Sequence, residues 1–202
     1  EGEREVVIAP MPLYHVYGFA VNAIGMVVRG ATTVLVPDPR NIDSLIDAMA
    51  AQPFTWMASV NTLLIALLQH PRLDEVDFSS TVGVIAGGAP LVPEVAEAWE
   101  SRTGTRAFEG YGLSETSASG AVNNVDHRRL GSICRCVQHT EAKVVDDEGQ
   151  RLGPGERGEL LIRGPQVMTG YWNNPGATEA AFDDEGWFRT GDIAVIDEEG
   201  FI

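Results

Sequence analysis

The chain has 202 residues, 14 Lys+Arg against 29 Asp+Glu, and a formal net charge of −15. With 44% hydrophobic and 21% charged residues it has the composition of a globular protein with a sizeable core; the acid excess, with no basic run longer than Arg128–Arg129, argues against nucleic acid or an anionic membrane as partner. No apolar run reaches the ~18 residues of a membrane-spanning helix, the N-terminal EGEREVVIAP has no signal-peptide character, and the closely spaced Cys134-x-Cys136 makes no disulfide scaffold and fits a reducing, cytoplasmic compartment.

In chain order, VVIA from Val6, ATTVLV from Ala31, FTWMASV from Phe54, TVGVIAG from Thr81 and TRAFEG from Thr105 read as strands, rich in Val, Ile, Thr and aromatics and bounded by Gly and Pro. Helices are predicted between them near residues 17–29, 41–51, 61–69 and 93–103. Asn41 suits an N-cap and Pro93 a first helical position. Alternation at a spacing of roughly 25 residues predicts an α/β fold, a parallel sheet with covering helices. From about residue 128 the pattern changes. TEAKVVDDEGQRL, GELLIRG and WFRTGDIAVIDEEGFI read as strands around polar turns at Asp146–Gly149 and Asp197–Gly200, with one short helix from an Asn174 cap and Pro175. This half is expected to be a small β-rich, barrel-like subdomain.

Chemistry-bearing residues concentrate in four places. GYGLSETSASG, Gly110 to Gly120, leaves a parallel strand at the edge where open α/β sheets bind ligands. There Gly110 and Gly112 let a ligand approach backbone, Tyr111 can stack on a base, Ser114 can contact phosphate and Glu115 can hold Mg²⁺; a Gly-rich turn before a polar strand fits the same residues. Gly87-Gly88-Ala89-Pro90 offers backbone at the same edge, or is a tight connection. His15, in PLYHVYG, is a packed histidine unless its loop lines a pocket. Asp192 in Thr190-Gly191-Asp192 can accept two hydrogen bonds from a diol such as ribose, or is a turn aspartate. Cys134-x-Cys136-x-x-His139 is a poor zinc site, with no distant second pair of ligands. Lys143 is the only lysine, so chemistry needing a mobile ammonium must use it or come from elsewhere.

Taken together, PLYHVYG, AGGAPL, EGYGLSETS, TEAKVVDDEG, GELLIRGPQVMTGYWNNP and GWFRTGDIAVIDEEGF make the chain resemble the adenylate-forming superfamily of acyl-CoA synthetases and luciferase-like enzymes, within it the long-chain fatty-acid–CoA ligases. The resemblance implies an ATP-dependent acid–thiol ligase that makes an acyl-adenylate and passes the acyl group to CoA, with a fatty acid and ATP as substrates and Mg²⁺ as cofactor. It implies that Tyr111 stacks on adenine with Gly88 and Ala89 on its other face, and that Ser114 meets the α-phosphate, Glu115 holds Mg²⁺ and Asp192 binds the ribose. Pro90, Glu109 and Gly112 belong to the same nucleotide-binding segments. His15 would sit at the acyl carboxylate, with Tyr17 and Gly110 along the acyl channel. Residues 1–127 would form the α/β subdomain carrying both sites, and 128–202 the β-rich subdomain ending in the ribose-binding turn. The family's phosphate loop and C-terminal lysine domain are not in the sequence, so the chain alone is expected to be inactive. Relatives carry glycine and proline where Cys134 and Gln138 stand. The resemblance leaves open a homodimer and peripheral membrane contact, and an aryl acid in place of the fatty acid; a non-catalytic nucleotide-binding module is the alternative of a different class.

Overall fold

The computed structural model describes residues 5–202. The chain divides into two compact units, Glu1–Gly110 and Tyr111–Ile202. The division falls at the end of a strand, upstream of residue 127 where the sequence changes character. Residues 111–120 make their contacts with later segments: the Met168 amide donates to the Glu115 carbonyl at 2.7 Å and Ser117 Oγ to the Gln166 carbonyl at 2.9 Å.

In the first unit, β1 (Val6–Ala9), β2 (Thr32–Leu35), β3 (Trp56–Ser59), β4 (Gly83–Ala86) and β5 (Arg106–Tyr111) stand in the order β2-β1-β3-β4-β5, with parallel pairing throughout. Helices cover them. The predicted helix at 17–29 is a π-helical segment, Tyr17–Gly25, that runs into α1 (Met26–Arg29); α2 (Ile42–Ala50), α3 (Asn61–Gln69) and α4 (Pro93–Thr103) follow. Their ends obey local chemistry. Asn41 Oδ1 accepts from the Ser44 amide at 3.2 Å, Pro93 occupies the first turn of α4, and Gly104 closes that helix at φ 71°.

The inner strands are near-continuous apolar runs because both sheet faces are covered. Ile8, Met57, Leu45, Ile46, Leu64, Leu67, Phe54, Phe108 and Trp99 are fully buried, each of the aliphatic side chains contributing about 1.5–3 kcal/mol. Phe54, Phe78 and Trp99 meet edge to face at 5.9 and 5.6 Å. Trp99 Nε1 donates to Thr105 Oγ1 at 3.0 Å, so the indole is buried without an unpaired donor.

In the second unit, β6 (Ala121–Val122) pairs antiparallel with β7 (Arg135–Cys136), and β8 (Glu141–Val145), β9 (Arg157–Arg163) and β10 (Phe188–Val195) form an antiparallel sheet in the order β10-β9-β8. Asn174 caps the short α5 (Pro175–Ala180), accepting from the Ala177 amide at 3.1 Å. Val145, Leu161 and Trp187 form a buried cluster. Lys143, only 7% exposed, lies over the Trp187 ring at 4.8 Å and donates to Asp183 at 2.8 Å and Glu185 at 3.1 Å. The lysine thus holds the sheet rather than offering a free ammonium. After the Asp197–Gly200 turn the chain returns, and the Ile202 amide donates to the Cys134 carbonyl at 2.8 Å. No helix among the described residues is long and apolar enough to cross a membrane.

Candidate active site

Parallel strands place their C-terminal ends along one edge, and in the first unit the segments that follow β1 and β4 carry His15 and Gly88. In the first unit, the turn after β1 is built by close approach: a Cβ on Gly18 would lie 2.3 Å from the Pro12 carbonyl oxygen. His15 is exposed, not packed in the core, and its Nδ1 accepts from the Tyr17 amide at 3.2 Å, which leaves Nε2 toward solvent. Tyr17 is buried and donates its hydroxyl to the Ile85 carbonyl at 2.7 Å; burial pushes the phenol up from its ordinary value, so it remains a donor. After β4, Gly88 stands at φ 75°, a left-handed conformation that glycine adopts freely, and Gly88, Ala89 and Pro90 are exposed. The loop is tied to β5, because Glu109 Oε1 accepts from the Leu91 amide at 3.1 Å. Burial raises the Glu109 carboxyl, an effect that this amide partly offsets. Gly110 completes this part, its carbonyl 3.3 Å from where a Gly87 Cβ would stand.

In the second unit, the GYGLSE segment closes as a tight turn. A Cβ on Gly112 would lie 2.2 Å from the Ala118 carbonyl, and Ser114–Thr116 form a single 3₁₀ turn with Ser114 exposed. Thr116 Oγ1 accepts from the Leu113 amide at 2.9 Å. Glu115 is held from another direction: Tyr171 donates its hydroxyl to Oε1 at 2.8 Å.

Thr190, Gly191 and Asp192 lie not in a turn but in a bulge of β10, whose register against β9 shifts between Arg189 and Ile193. Gly191 takes φ 74° there, and Thr190 Oγ1 donates to the Leu160 carbonyl at 2.7 Å while accepting from the Asp192 amide at 3.1 Å. The bulge aims Asp192 at Tyr111, which donates its hydroxyl to Oδ2 at 2.5 Å. Burial first, and then the hydrogen bond to Asp192, raise the Tyr111 phenol.

Two motifs 81 residues apart in sequence are thereby joined through Tyr111 and Asp192, and the same unit holds Ser114 and Glu115. Such a set can present an aromatic face, a carboxylate for a diol, a hydroxyl and a second carboxylate. A Mg²⁺ ion retains most of its waters and takes one or two protein carboxylates with substrate phosphates; Glu115 fits that donor set, its Oε2 being left over from the Tyr171 bond, although no cluster of three His, Cys, Asp or Glu is present among the described residues. Tyr171 and Thr190 carry positioning bonds that the sequence motifs do not assign to them. The signal for Tyr171 was present in GYWNNP, and that for Thr190 in a hydroxyl beside a glycine in a strand.

A family model for AMP-binding enzymes matches residues 1–172. A long-chain-fatty-acid–CoA ligase of Salmonella typhimurium is 44% identical over 201 residues, 98% of this chain and 36% of the relative. A probable CoA ligase of Humulus lupulus is 37% identical and is covered to 38%. The chain therefore spans little more than a third of these curated relatives. Among solved structures, apo MatB from Rhodopseudomonas palustris superposes with a TM-score of 0.87 at 32% identity, over 98% of this chain and 39% of that one. The anthranilate CoA ligase AuaEII in complex with anthranoyl-AMP superposes with a TM-score of 0.91 at 26% identity, again over 98% and 39%.

Proposed function

Since the chain belongs to the AMP-binding enzyme family, we propose that it is the nucleotide- and acyl-binding part of an ATP-dependent fatty-acid–CoA ligase. The observation that carries this reading is the bond from Tyr111 to Asp192, which brings the aromatic of GYGLSE onto the carboxylate of RTGD. In the first step an acid carboxylate oxygen attacks the α-phosphorus of ATP, and pyrophosphate leaves to give an acyl-adenylate. In the second the CoA thiol attacks the acyl carbon, AMP leaves, and the thiol proton passes to solvent. Both steps need alignment and charge neutralisation more than a protein nucleophile.

In this reading Tyr111 stacks on adenine, while Gly88 and Ala89 present backbone to the base and Pro90, Glu109 and Gly112 hold the two segments in shape. Asp192 accepts from both ribose hydroxyls. Ser114 contacts the α-phosphate, and Glu115 is the protein carboxylate for Mg²⁺, which when bound neutralises phosphate charge. His15, exposed with Nε2 free, receives the acid carboxylate, and Tyr17 and Gly110 line the acyl path. The fatty acid is favoured over an aryl acid by the 44% identical fatty-acid ligase, against 26% for the anthranilate enzyme. The unpaired Cys134 and Cys136 support a reducing, cytoplasmic setting. The deciding experiment is acid-dependent pyrophosphate release by the full-length protein that contains this chain, across saturated fatty acids and aryl acids. Release with fatty acids is expected. Release with aryl acids only would assign the sister activity, and none with any acid would leave a nucleotide-binding module.

A further inference from the structure

The π-helical segment that follows His15 lines a cavity of about 170 Å³, far more than the ~30 Å³ share of one liquid water. Tyr17, Val21 and Asn22 of this segment and Met26, the first residue of α1, line it at spacings of four and five, against residues of β1, β3 and β4. The walls are predominantly apolar. Glu5 and Arg29 also line it and pair with each other at 3.5 Å; Asn22 differs from them in being fully buried, and among the described residues neither its Oδ1 nor its Nδ2 has a hydrogen-bond partner. Its backbone is fixed, because the Asn22 carbonyl accepts from Thr33 Oγ1 at 2.9 Å. Extended π-helices are rare and occur at functional sites, and a buried amide without partners persists only where something else satisfies it.

We propose that Asn22 is a specificity residue of the acyl pocket and selects an acid whose chain carries a hydroxyl group at the depth of its amide. This rests on the ligase reading above. A hydroxyl both accepts and donates, so one group satisfies Nδ2 and Oδ1 together. A water does the same when no acid is bound. A saturated chain displaces that water and leaves both atoms unpaired, which is the circumstance under which polar sites discriminate most strongly.

The test uses the full-length protein containing this chain and measures acid-dependent pyrophosphate release. Saturated acids are compared with acids of equal length bearing one hydroxyl, its position moved along the chain. The ratio of kcat/KM for hydroxylated over saturated acid is expected to exceed one at one position or two adjacent ones, and to fall at least tenfold in Asn22→Leu. Because it is a ratio within one preparation, it is unaffected by the folded fraction, and the position scan in the unaltered protein decides the matter even if the variant does not fold. A ratio below one at every position, or one that Asn22→Leu leaves unchanged, overturns the proposal while the ligase reading stands. No release with any acid overturns both.

Discussion

Tyr111 donates its hydroxyl to Asp192 Oδ2 at 2.5 Å, and Asp192 is held in turn by its own amide bond to Thr190 Oγ1 at 3.1 Å. Burial, followed by the hydrogen bond to Asp192, keeps the phenol protonated through the neutral range, so Tyr111 is the donor there. Tyr111→Phe retains the ring and removes one such bond, worth about 1 kcal/mol. The Michaelis constant for ATP should rise roughly fivefold in the full-length protein, with that for the acid unchanged. Asp192→Ala should raise the ATP constant further. Steady-state kinetics varying each substrate in turn would show this, and an unchanged ATP constant in Asp192→Ala removes the ribose role.

Glu115 is oriented by two bonds from one neighbouring segment, the Tyr171 hydroxyl on its carboxylate and the Met168 amide on its carbonyl. Glu115→Ala should reduce pyrophosphate release on the order of 100-fold and move its dependence on Mg²⁺ concentration. Tyr171→Phe leaves the carboxylate present and the backbone held, so its effect should be a few-fold and lie mainly in the Mg²⁺ dependence. Normal release by Glu115→Ala would take this residue out of the mechanism.

The buried pair of Lys143 and Asp183, 7% and 15% exposed, makes a pH-dependent prediction. Burial alone would raise the Asp183 carboxyl. The Lys143 ammonium and the amides of Trp187 and Glu185 more than offset this and hold it below its ordinary value. A depressed carboxyl stabilises the fold above its unfolded pKa, near 3.9, and that contribution is lost as pH falls through the folded value. Lys143→Met should therefore cost about 3 kcal/mol at neutral pH, with the difference from wild type shrinking below about pH 4 as Asp183 protonates. Lys143→Met with Asp183→Leu should recover much of the loss. Denaturant titrations at both pH values would check it.

Gly112 and Gly88 are required for different reasons. A Cβ at Gly112 would stand 2.2 Å from the Ala118 backbone, so Gly112→Ala must open the turn that carries Ser114 and Glu115. At Gly88 nothing lies within 4 Å, and only φ 75° opposes a side chain. Gly88→Ala should cost about 1–2 kcal/mol and Gly88→Asn less, while Gly112→Ala should cost more than either and abolish pyrophosphate release. Thermal unfolding of the three variants orders them.

The parallel strands were legible because both faces are buried and the runs are apolar throughout. The helix ends were legible because Asn41, Pro93 and Asn174 are local signals. The Tyr111–Asp192 bond and the Tyr171–Glu115 bond were not, since the first depends on a bulge in β10 and the second joins a loop to a turn 56 residues away, which no local pattern encodes; resemblance supplied roles for Tyr111, Asp192 and Glu115 without their partners. The π-helix was hidden for a related reason. Its apolar residues suit an ordinary helix equally well, and only the pairing in the folded chain sets the wider turn.

Cys134 has φ 74°, a left-handed conformation that costs a side-chain-bearing residue about 1–2 kcal/mol. The residue persists because its thiol is buried, 1% exposed, and lies 3.2 Å from the His127 carbonyl, while its backbone carbonyl receives the Ile202 amide. Cys134→Ala removes the thiol contact and keeps the strain; Cys134→Gly removes the contact and the strain together. At an ordinary site alanine is more stabilising than glycine by about 0.4–1 kcal/mol, through the unfolded chain. Here the order should invert, with Cys134→Gly melting about 2–4 °C above Cys134→Ala. Calorimetry of the two variants side by side tests it, and an alanine variant as stable as the glycine one would mean that the left-handed turn at residue 134 is absent in solution.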